Sequence, residues 1–571
     1  MVQDIGASQA RPVNMKQARK RLAVLTLLSL AAFVVVSVRL IWVMGPAQSR
    51  GDAHGFEMIE ATPQRPEIRD RNGVLLAVNV DIPSIYADPQ IIPDPEEAAK
   101  LLARVLPGLD PIEIRRRIAA GGRFLWIKRQ VAPAVLKAVN ALGIPGIDYR
   151  METKRVYPSG RIAAHVVGYT SVDDAGIAGI EAYLDQLVRQ TGPGGTEAVR
   201  LSLDIRVQAL LHASLLRAIE TYQARAAAGL VLDVTNGEVL ALVSLPDFDP
   251  NTPAEALDPQ RINRINVGVY EMGSTFKALT TAMALDSGLF TINSSLDARE
   301  PLRFGRFSIN DYRGEKRILT LPEAFIYSSN IAMARMALAV GAERQKAFLG
   351  LMGQFGKLRT ELPETAQPIV PAQWGEVTTA TVAFGHGIAV APLQAAMAVA
   401  ALVNGGDLIR PTLIAGAEVG SRLVARGVVT PETGEALRYL MRLNAERGSA
   451  KKADVAGYMV GGKTGTAEKV VDGRYAGSRS LTAFMGISPA DAPRYLFLTI
   501  LDEPQSTPDS YGFATAGWNA APVTGRIMAG ALPMLGEVPR FGSVPQAFPT
   551  MAARGAWGSV PETGRDAAKH R

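Results

Sequence analysis

The chain contains no cysteine. Disulfides, thiol nucleophiles and cysteine-ligated metals are therefore excluded. Histidine is nearly as scarce: His54, His165, His212, His386 and His570 are scattered, with no His-Glu-x-x-His pair. That argues against a zinc hydrolase, and no metal or other cofactor is expected. Zinc-finger spacing and RNA-recognition signatures are also missing. The net charge of +7 is spread thinly, so no nucleic-acid partner is expected. What remains is ordinary for a globular protein, at 47% hydrophobic and 20% charged. At 571 residues the chain is too long for one core, and about 150 residues per domain gives roughly three to four units.

One long apolar run is present. Leu22 to Val38 is uncharged, and after Arg39 the run resumes to Met44. As a helix, 22–44 would be about 34 Å long, enough for a bilayer core of about 30 Å. A cleaved signal peptide usually has a shorter apolar core, so an uncleaved membrane anchor is the better reading. Arg11, Lys16, Arg19, Lys20 and Arg21 precede it, against Asp4 alone. The positive-inside rule places residues 1–21 in the cytoplasm and everything after the span outside it. The expected localisation is a bacterial inner membrane, crossed once, with the main body in the periplasm.

Residues 45–62 read as a linker. A pedestal region of mixed character, within 45–200, begins with strand-like runs around the turn Asn72-Gly73 and holds short helices over 93–106 and 132–142. From 201 to 536 a second, larger domain is expected. It opens with an amphipathic helix over 205–222, where Val207, Leu210, Leu211, Leu215 and Ile219 recur at helical spacing. A strand, a turn at Thr235-Asn-Gly and a second strand follow. Helices are predicted over 274–286, 321–340 and 393–403, then strands from Val460 to Leu501. Helices gathered around an antiparallel sheet make an α+β fold. The tail 537–571, rich in Pro, Gly and Ala, is expected to be disordered.

Three short motifs could carry chemistry. Ser274-x-x-Lys277 puts a hydroxyl and an amine on one helix face, at the positive end of a predicted apolar helix whose side chains can desolvate the lysine. A lysine accepts a serine proton only when burial or neighbours lower its pKa. Ser328-Ser329-Asn330, read as part of a helix, offers a hydroxyl to shuttle a proton and a carboxamide to hold Lys277 and a substrate amide. Lys463-Thr464-Gly465-Thr466, read as a strand, offers an amine and two hydroxyls for a carboxylate, with Gly465 allowing a bound peptide close to the backbone. Gly457 to Thr464 also matches a phosphate-binding loop pattern. That loop needs a strand before it and a helix after it, and here a polar segment precedes and strand-like residues follow.

Ser-x-x-Lys, Ser-x-Asn and Lys-Thr-Gly in this order are the known signature of penicillin-binding proteins and class A β-lactamases. The resemblance extends through Asp70-Arg-Asn-Gly73, Arg155-x-Tyr157-Pro158-x-Gly160, Gly168-Tyr169, Gly179-Ile-Glu181, Pro246-x-Phe248-x-Pro250-Asn251, Asn404-Gly-Gly406 and Phe484-Met-Gly-Ile-Ser-Pro489. The chain thus resembles the class B penicillin-binding proteins, and Lys463 to Lys469 with Asp472-Gly-Arg-Tyr475 resembles their division-septum branch. Met272 departs from the proline common before Gly-Ser, and 512–522 departs from the usual glycine-rich run. The resemblance implies a D,D-transpeptidase acting on peptidoglycan stem peptides and acylated by β-lactam antibiotics. It implies Ser274 as nucleophile, Lys277 as base, Ser328 as proton carrier and Asn330 as orienting group. Lys463, Thr464 and Thr466 would hold the terminal carboxylate, and the N–H groups of Ser274 and Thr466 would form the oxyanion hole. It implies as partners a polytopic SEDS-class glycosyltransferase and other divisome membrane proteins. A β-lactamase of the same fold would need a glutamate after Ser-x-Asn, for which Glu361 and Glu364 are roughly placed. An elongation-specific transpeptidase and a β-lactam sensor of the same fold would also fit the three motifs.

Overall fold

The computed structural model describes residues 15–43, 65–191, 197–471 and 474–541, with Phe548 and Met551. Two compact units result, Met1–Thr62 and Pro63–Arg571. In the first, helix α1 runs over Met15–Val43. Its described apolar side chains, such as Leu27, Leu30 and Phe33, are exposed. Among the described residues no helix is long and apolar enough to cross a membrane. The span expected over 22–44 is therefore present here as a helix only. The side chains of Leu22, Leu25 and 39–43, Met44, and the linker 45–62 lie outside the described residues.

The second unit begins with the pedestal. Strand β1 (Ile68–Arg69) turns at Asn72-Gly73 into β2 (Leu75–Ala87), and Gly73 takes the positive φ of +87 that this turn requires. Helices α2 (Pro95–Val105) and α3 (Pro111–Ala119) follow, then β3 (Leu125–Lys128), α4 (Pro133–Asn140) and β4 (Ile147–Val156). β3 and β4 both pair with β2 in antiparallel fashion. Each helix starts on a proline, and the carboxylates of Asp94 and Asp110 cap the first two. α2 and α4 occupy the two expected helices. α3 is additional: it is one short stretch with three arginines, so periodicity hardly marks it. Ile85, Leu102, Ile114, Ile118, Ile127 and Val139 form the pedestal core.

The motif residues of the pedestal turn out to be structural. Helix α5 (Gly179–Thr191) carries Glu181, which is fully buried and accepts from Arg65 Nε at 2.9 Å and Arg155 Nε at 2.7 Å. Arg155 also donates to Asn79 and to the carbonyl of Pro66. Buried charges persist only when paired and hydrogen-bonded, as here. Asn251, from the larger domain, brackets Tyr157 by bonding both its N–H and its carbonyl at 3.0 Å. Buried Asp70 accepts from the N–H groups of Asn72, Val74 and Ile205. The first turn of the pedestal is thereby fastened to the first helix of the next domain. Strand β5 (Val199–Arg200) returns to pair in parallel with β1.

That next domain is a five-stranded antiparallel sheet with helices on both faces. Helix α6 (Ile205–Tyr222) leads into β6 (Ala226–Asp233) and β7 (Val239–Leu245). Much later come β8 (Gly461–Val471), β9 (Arg474–Ser488) and β10 (Tyr495–Asp502). The spatial order is β8-β9-β10-β6-β7, so β8 is an edge strand. Strand side chains alternate between faces. Leu230, Leu232, Leu242 and Leu498 enter the main core beneath the helical lobe. Val231, Ala241, Val243 and Phe497 enter a second core with Val207, Leu211 and Leu215 of α6. A final helix, α10 (Ala520–Met534), closes that second face through Val523, Ile527 and Met528. The tail expected to be disordered is partly placed. Arg540 pairs with Asp491 at 2.8 Å, and Phe548 and Met551 are buried, with Phe548 edge-on to Tyr439. The rest of 542–571 lies outside the described residues.

Candidate active site

The nucleophile candidate stands on a tight turn pressed against the edge strand. Gly273–Phe276 is a single 3₁₀ turn that feeds helix α7 (Lys277–Asp286). Gly273 has φ +52, and a Cβ there would come 3.1 Å from Thr466 O and Ala467 Cβ. Opposite it, a Cβ on Gly465 would come 2.9 Å from Met272 O and Thr275 Cγ2. The two glycines form a seam that lets the turn lie on β8. This corrects the expected role of Gly465, whose bare face meets the nucleophile turn rather than a bound peptide. Ser274 itself is half-buried, on the turn that leads into Lys277. Its N–H lies in the first turn of a helix, where no helical acceptor exists.

Lys277 begins α7 and is fully buried. Its Nζ lies 2.5 Å from Ser328 O, 2.7 Å from Asn330 Oδ1 and 3.0 Å from Ser328 Oγ. Burial pushes its pKa well below the usual lysine value, and the nearby charge of Lys463 adds to this. A neutral amine has two N–H groups and one lone pair. The Ser328 and Asn330 carbonyl oxygens can only accept, so they take both N–H groups. The lone pair is then left for the Ser328 hydroxyl, 3.0 Å away.

The Ser-x-Asn motif corrects a second expectation. The helix predicted over 321–340 is broken into α8 (Leu321–Ile326) and α9 (Asn330–Val340). Ser328 N–H bonds to Phe325 O and Ser329 N–H to Ala324 O, the pattern of a Schellman stop. Ser328 occupies the left-handed position, φ +58, that glycine usually fills. Ser329 then caps α9, its Oγ accepting from Ala332 N–H. Three residues thus end one helix and start the next, and the strained one carries the hydroxyl that projects between two lysines. Asn330 is fixed at both ends, with Oδ1 on Lys277 and Nδ2 donating to Asn310 O at 3.0 Å. One amide hydrogen remains for a substrate. Asp311 holds the same corner by accepting from Ser329 Oγ and Ile331 N–H.

Lys463 lies on β8 as predicted and is also buried. Its Nζ donates to Ser328 Oγ at 2.9 Å, so that hydroxyl bridges the two amines. Desolvation lowers its pKa to about 7. Two buried amines about one hydroxyl apart favour carrying a single positive charge between them. Thr464 shares a hydrogen bond with Ser449 at 2.6 Å, and Thr466 Oγ1 accepts from Ala516 N–H at 3.1 Å, which leaves its own hydrogen free to donate. Ser449, Asp311 and Asn310 join the site without any sequence signal, because nothing in their local pattern marks them.

The structure also settles the rival residues. Residues 457–464 lead into a strand, not a helix, so the phosphate-loop pattern has no helix N-terminus to work with. Glu361 accepts from Thr412 Oγ1 and Leu413 N–H, and Glu364 from Gly179 N–H. Both are occupied in holding segments together. Among the described residues no group of acidic or histidine side chains could hold a metal ion.

Comparison with known proteins follows the same division. A penicillin-binding protein transpeptidase domain is matched over residues 227–529 and a penicillin-binding protein dimerisation domain over 60–193. The chain is 39% identical over 498 residues to the probable peptidoglycan D,D-transpeptidase FtsI of Caulobacter vibrioides, covering 86% of this chain and 83% of that protein. It is 31% identical over 551 residues to the peptidoglycan D,D-transpeptidase FtsI of Escherichia coli, covering 88% and 89% respectively. A solved peptidoglycan synthetase from Bifidobacterium adolescentis shares the fold with a TM-score of 0.65 at 23% identity, covering 84% of this chain and 98% of that one.

Proposed function

The chain belongs to the class B penicillin-binding proteins, and from that premise we propose that it is a D,D-transpeptidase cross-linking peptidoglycan stem peptides during septum synthesis. The observation that carries this reading is the Ser328 hydroxyl, held between buried Lys277 and Lys463 at 3.0 and 2.9 Å, with Ser274 on the turn that leads into Lys277. The terminal carboxylate of a donor stem binds Lys463, Thr464 and the free hydrogen of Thr466. Lys277, its basicity lowered by burial, takes the Ser274 proton as Oγ attacks the penultimate D-alanine carbonyl. The oxyanion is met by the N–H groups of Ser274 and Thr466. The proton passes through Ser328 to the departing D-alanine amine, and an acyl-enzyme remains. An amine of a neighbouring stem then attacks, loses its proton through the same hydroxyl, and Ser274 Oγ leaves protonated. β-Lactams acylate the same serine, with their ring amide in place of the D-alanyl bond.

In this reading residues 1–21 are cytoplasmic and 22–44 anchor the chain in the inner membrane. The pedestal and the transpeptidase domain, 201–536, stand in the periplasm at the division site. The anchor and pedestal meet a polytopic glycosyltransferase and other divisome proteins. Charge asymmetry around the apolar run supports this orientation of the anchor. Labelling with a fluorescent penicillin tests the chemistry: the wild-type protein should label and Ser274→Ala should not. Depletion in the native cell tests the role. Filamentation supports septation, and rounding would transfer the enzyme to elongation.

A further inference from the structure

One carboxylate beside the nucleophile has no counter-charge. Glu271 lies three residues before Ser274 and is half-buried. It accepts from Gly387 N–H at 2.8 Å and from the Tyr475 hydroxyl at 3.2 and 3.3 Å. Among the described residues it makes no ion pair, and burial raises its pKa. A carboxylate moves this way when it loses water and gains no cation.

Independent elements hold it in place. Gly387 belongs to the turn 384–387, where a Cβ on Gly385 would come 2.2 Å from Gly273 O. Tyr475 stands on β9 opposite Val470 of the edge strand. Its ring meets His386 edge-on at 5.8 Å. His386 is kept neutral by burial, with its pKa pushed down to about 4, and its Nδ1 has no partner. An acidic group is thus fixed at the cleft and left unneutralised by the histidine beside it.

We propose that Glu271, oriented by Gly387 and Tyr475, binds a protonated amino group of the stem peptide. This rests on the transpeptidase reading. That reaction joins the acyl group of one stem to an amine of another. Donor and acceptor are strands of one polymer, so both carry the amine. The lysine pair around Ser328 carries a shared positive charge that repels an ammonium ion, whereas Glu271 attracts one. Val470 lies four residues past Thr466, about 13 Å along the strand. A peptide with its carboxylate on Lys463 and Thr466 covers that distance in about four extended residues. The ammonium can come from the donor or from the acceptor, and the chemistry of recognition is the same.

The full-length protein in detergent is acylated with two thioester stem-peptide donors, one with a free side-chain amine and one with that amine acetylated. If the donor supplies the ammonium, wild type favours the free amine by roughly tenfold or more, the scale of a charge-assisted hydrogen bond. Glu271→Gln then brings the ratio near one, and Tyr475→Phe lowers it partway. If the acceptor supplies it, the donor ratio is near one in wild type. Glu271→Gln then lowers aminolysis relative to hydrolysis when an amine-bearing stem is added. A ratio and a partition that both variants leave unchanged would overturn the proposal. Absence of Ser274 acylation in wild type would instead refute the transpeptidase reading. Ratios taken within one protein preparation are independent of how much of each variant folds.

Discussion

Replacing Ser328 by glycine and by alanine separates two properties that this residue combines. Both changes remove the hydroxyl between Lys277 and Lys463. Loss of a positioned proton carrier typically costs about 10²–10⁴ in rate, so acylation by a chromogenic β-lactam should fall by that amount in both variants. Their stabilities should differ. A Cβ in the left-handed conformation costs roughly 1–2 kcal/mol, and φ at Ser328 is +58. Glycine gives back about 0.5–1 kcal/mol through its looser unfolded chain. Ser328→Gly should therefore be about 1 kcal/mol more stable than Ser328→Ala, a shift of about 1–2 °C in the melting midpoint of a protein this size. Differential scanning calorimetry and stopped-flow acylation read the two effects separately. Equal midpoints would refute the strained Schellman position. Acylation of Ser328→Ala within threefold of wild type would refute the relay.

Further expectations concern charge and space. The pH profile of kcat/KM for acylation should be bell-shaped: the rate is lost as falling pH protonates Lys277, and carboxylate capture weakens above about 7 as Lys463 loses its proton. Lys463→Arg, always charged, should flatten the alkaline limb. Stability follows the same linkage. The folded pKa of Lys277 is depressed, so between its folded and unfolded values the unfolded chain binds a proton that the folded chain lacks, and stability is lost as pH falls across that interval. Lys277→Met should remove up to about 1.4 kcal/mol per pH unit of that dependence, read from denaturation midpoints at pH 6 and 8. Gly465→Ala should cost about 1–3 kcal/mol and slow acylation at least tenfold, since its Cβ meets the Ser274 turn at 2.9 Å. Glu181→Gln should cost about 3–5 kcal/mol by leaving Arg155 buried without its counter-charge, seen as a lower melting midpoint.

The parts of the fold with strong local periodicity are legible without a structure. Helix α6 spans the predicted 205–222, and β6, β7 and β10 fall on their apolar runs. Helix α10 is not, because its sequence holds two prolines and two glycines. The structure supplies the reason: a Cβ on Gly525 would come 3.0 Å from Ala453 O, and one on Gly530 would come 2.8 Å from Leu210. Close packing selected residues that hide the helix. At the site, the three motifs name every group on the Lys277–Ser328–Lys463 path, yet the apolar pattern runs straight through the break at Ser328. A Schellman stop without glycine leaves no compositional mark. Glu271 and His386 gain meaning only from partners more than 80 residues away or across the sheet, which no local pattern contains.

The glycine seam bears on how such an enzyme can change under antibiotic selection. A side chain at position 273, 385 or 465 would press on the turn that carries Ser274. The lysines and Ser328 are bound to one another so closely that altering one unsettles the rest. The ground around the nucleophile is therefore closed to gradual variation. Substitutions that alter an inhibitor's fit have more room at exposed positions beside this corner, such as Tyr312 next to Asp311, than inside the buried network itself.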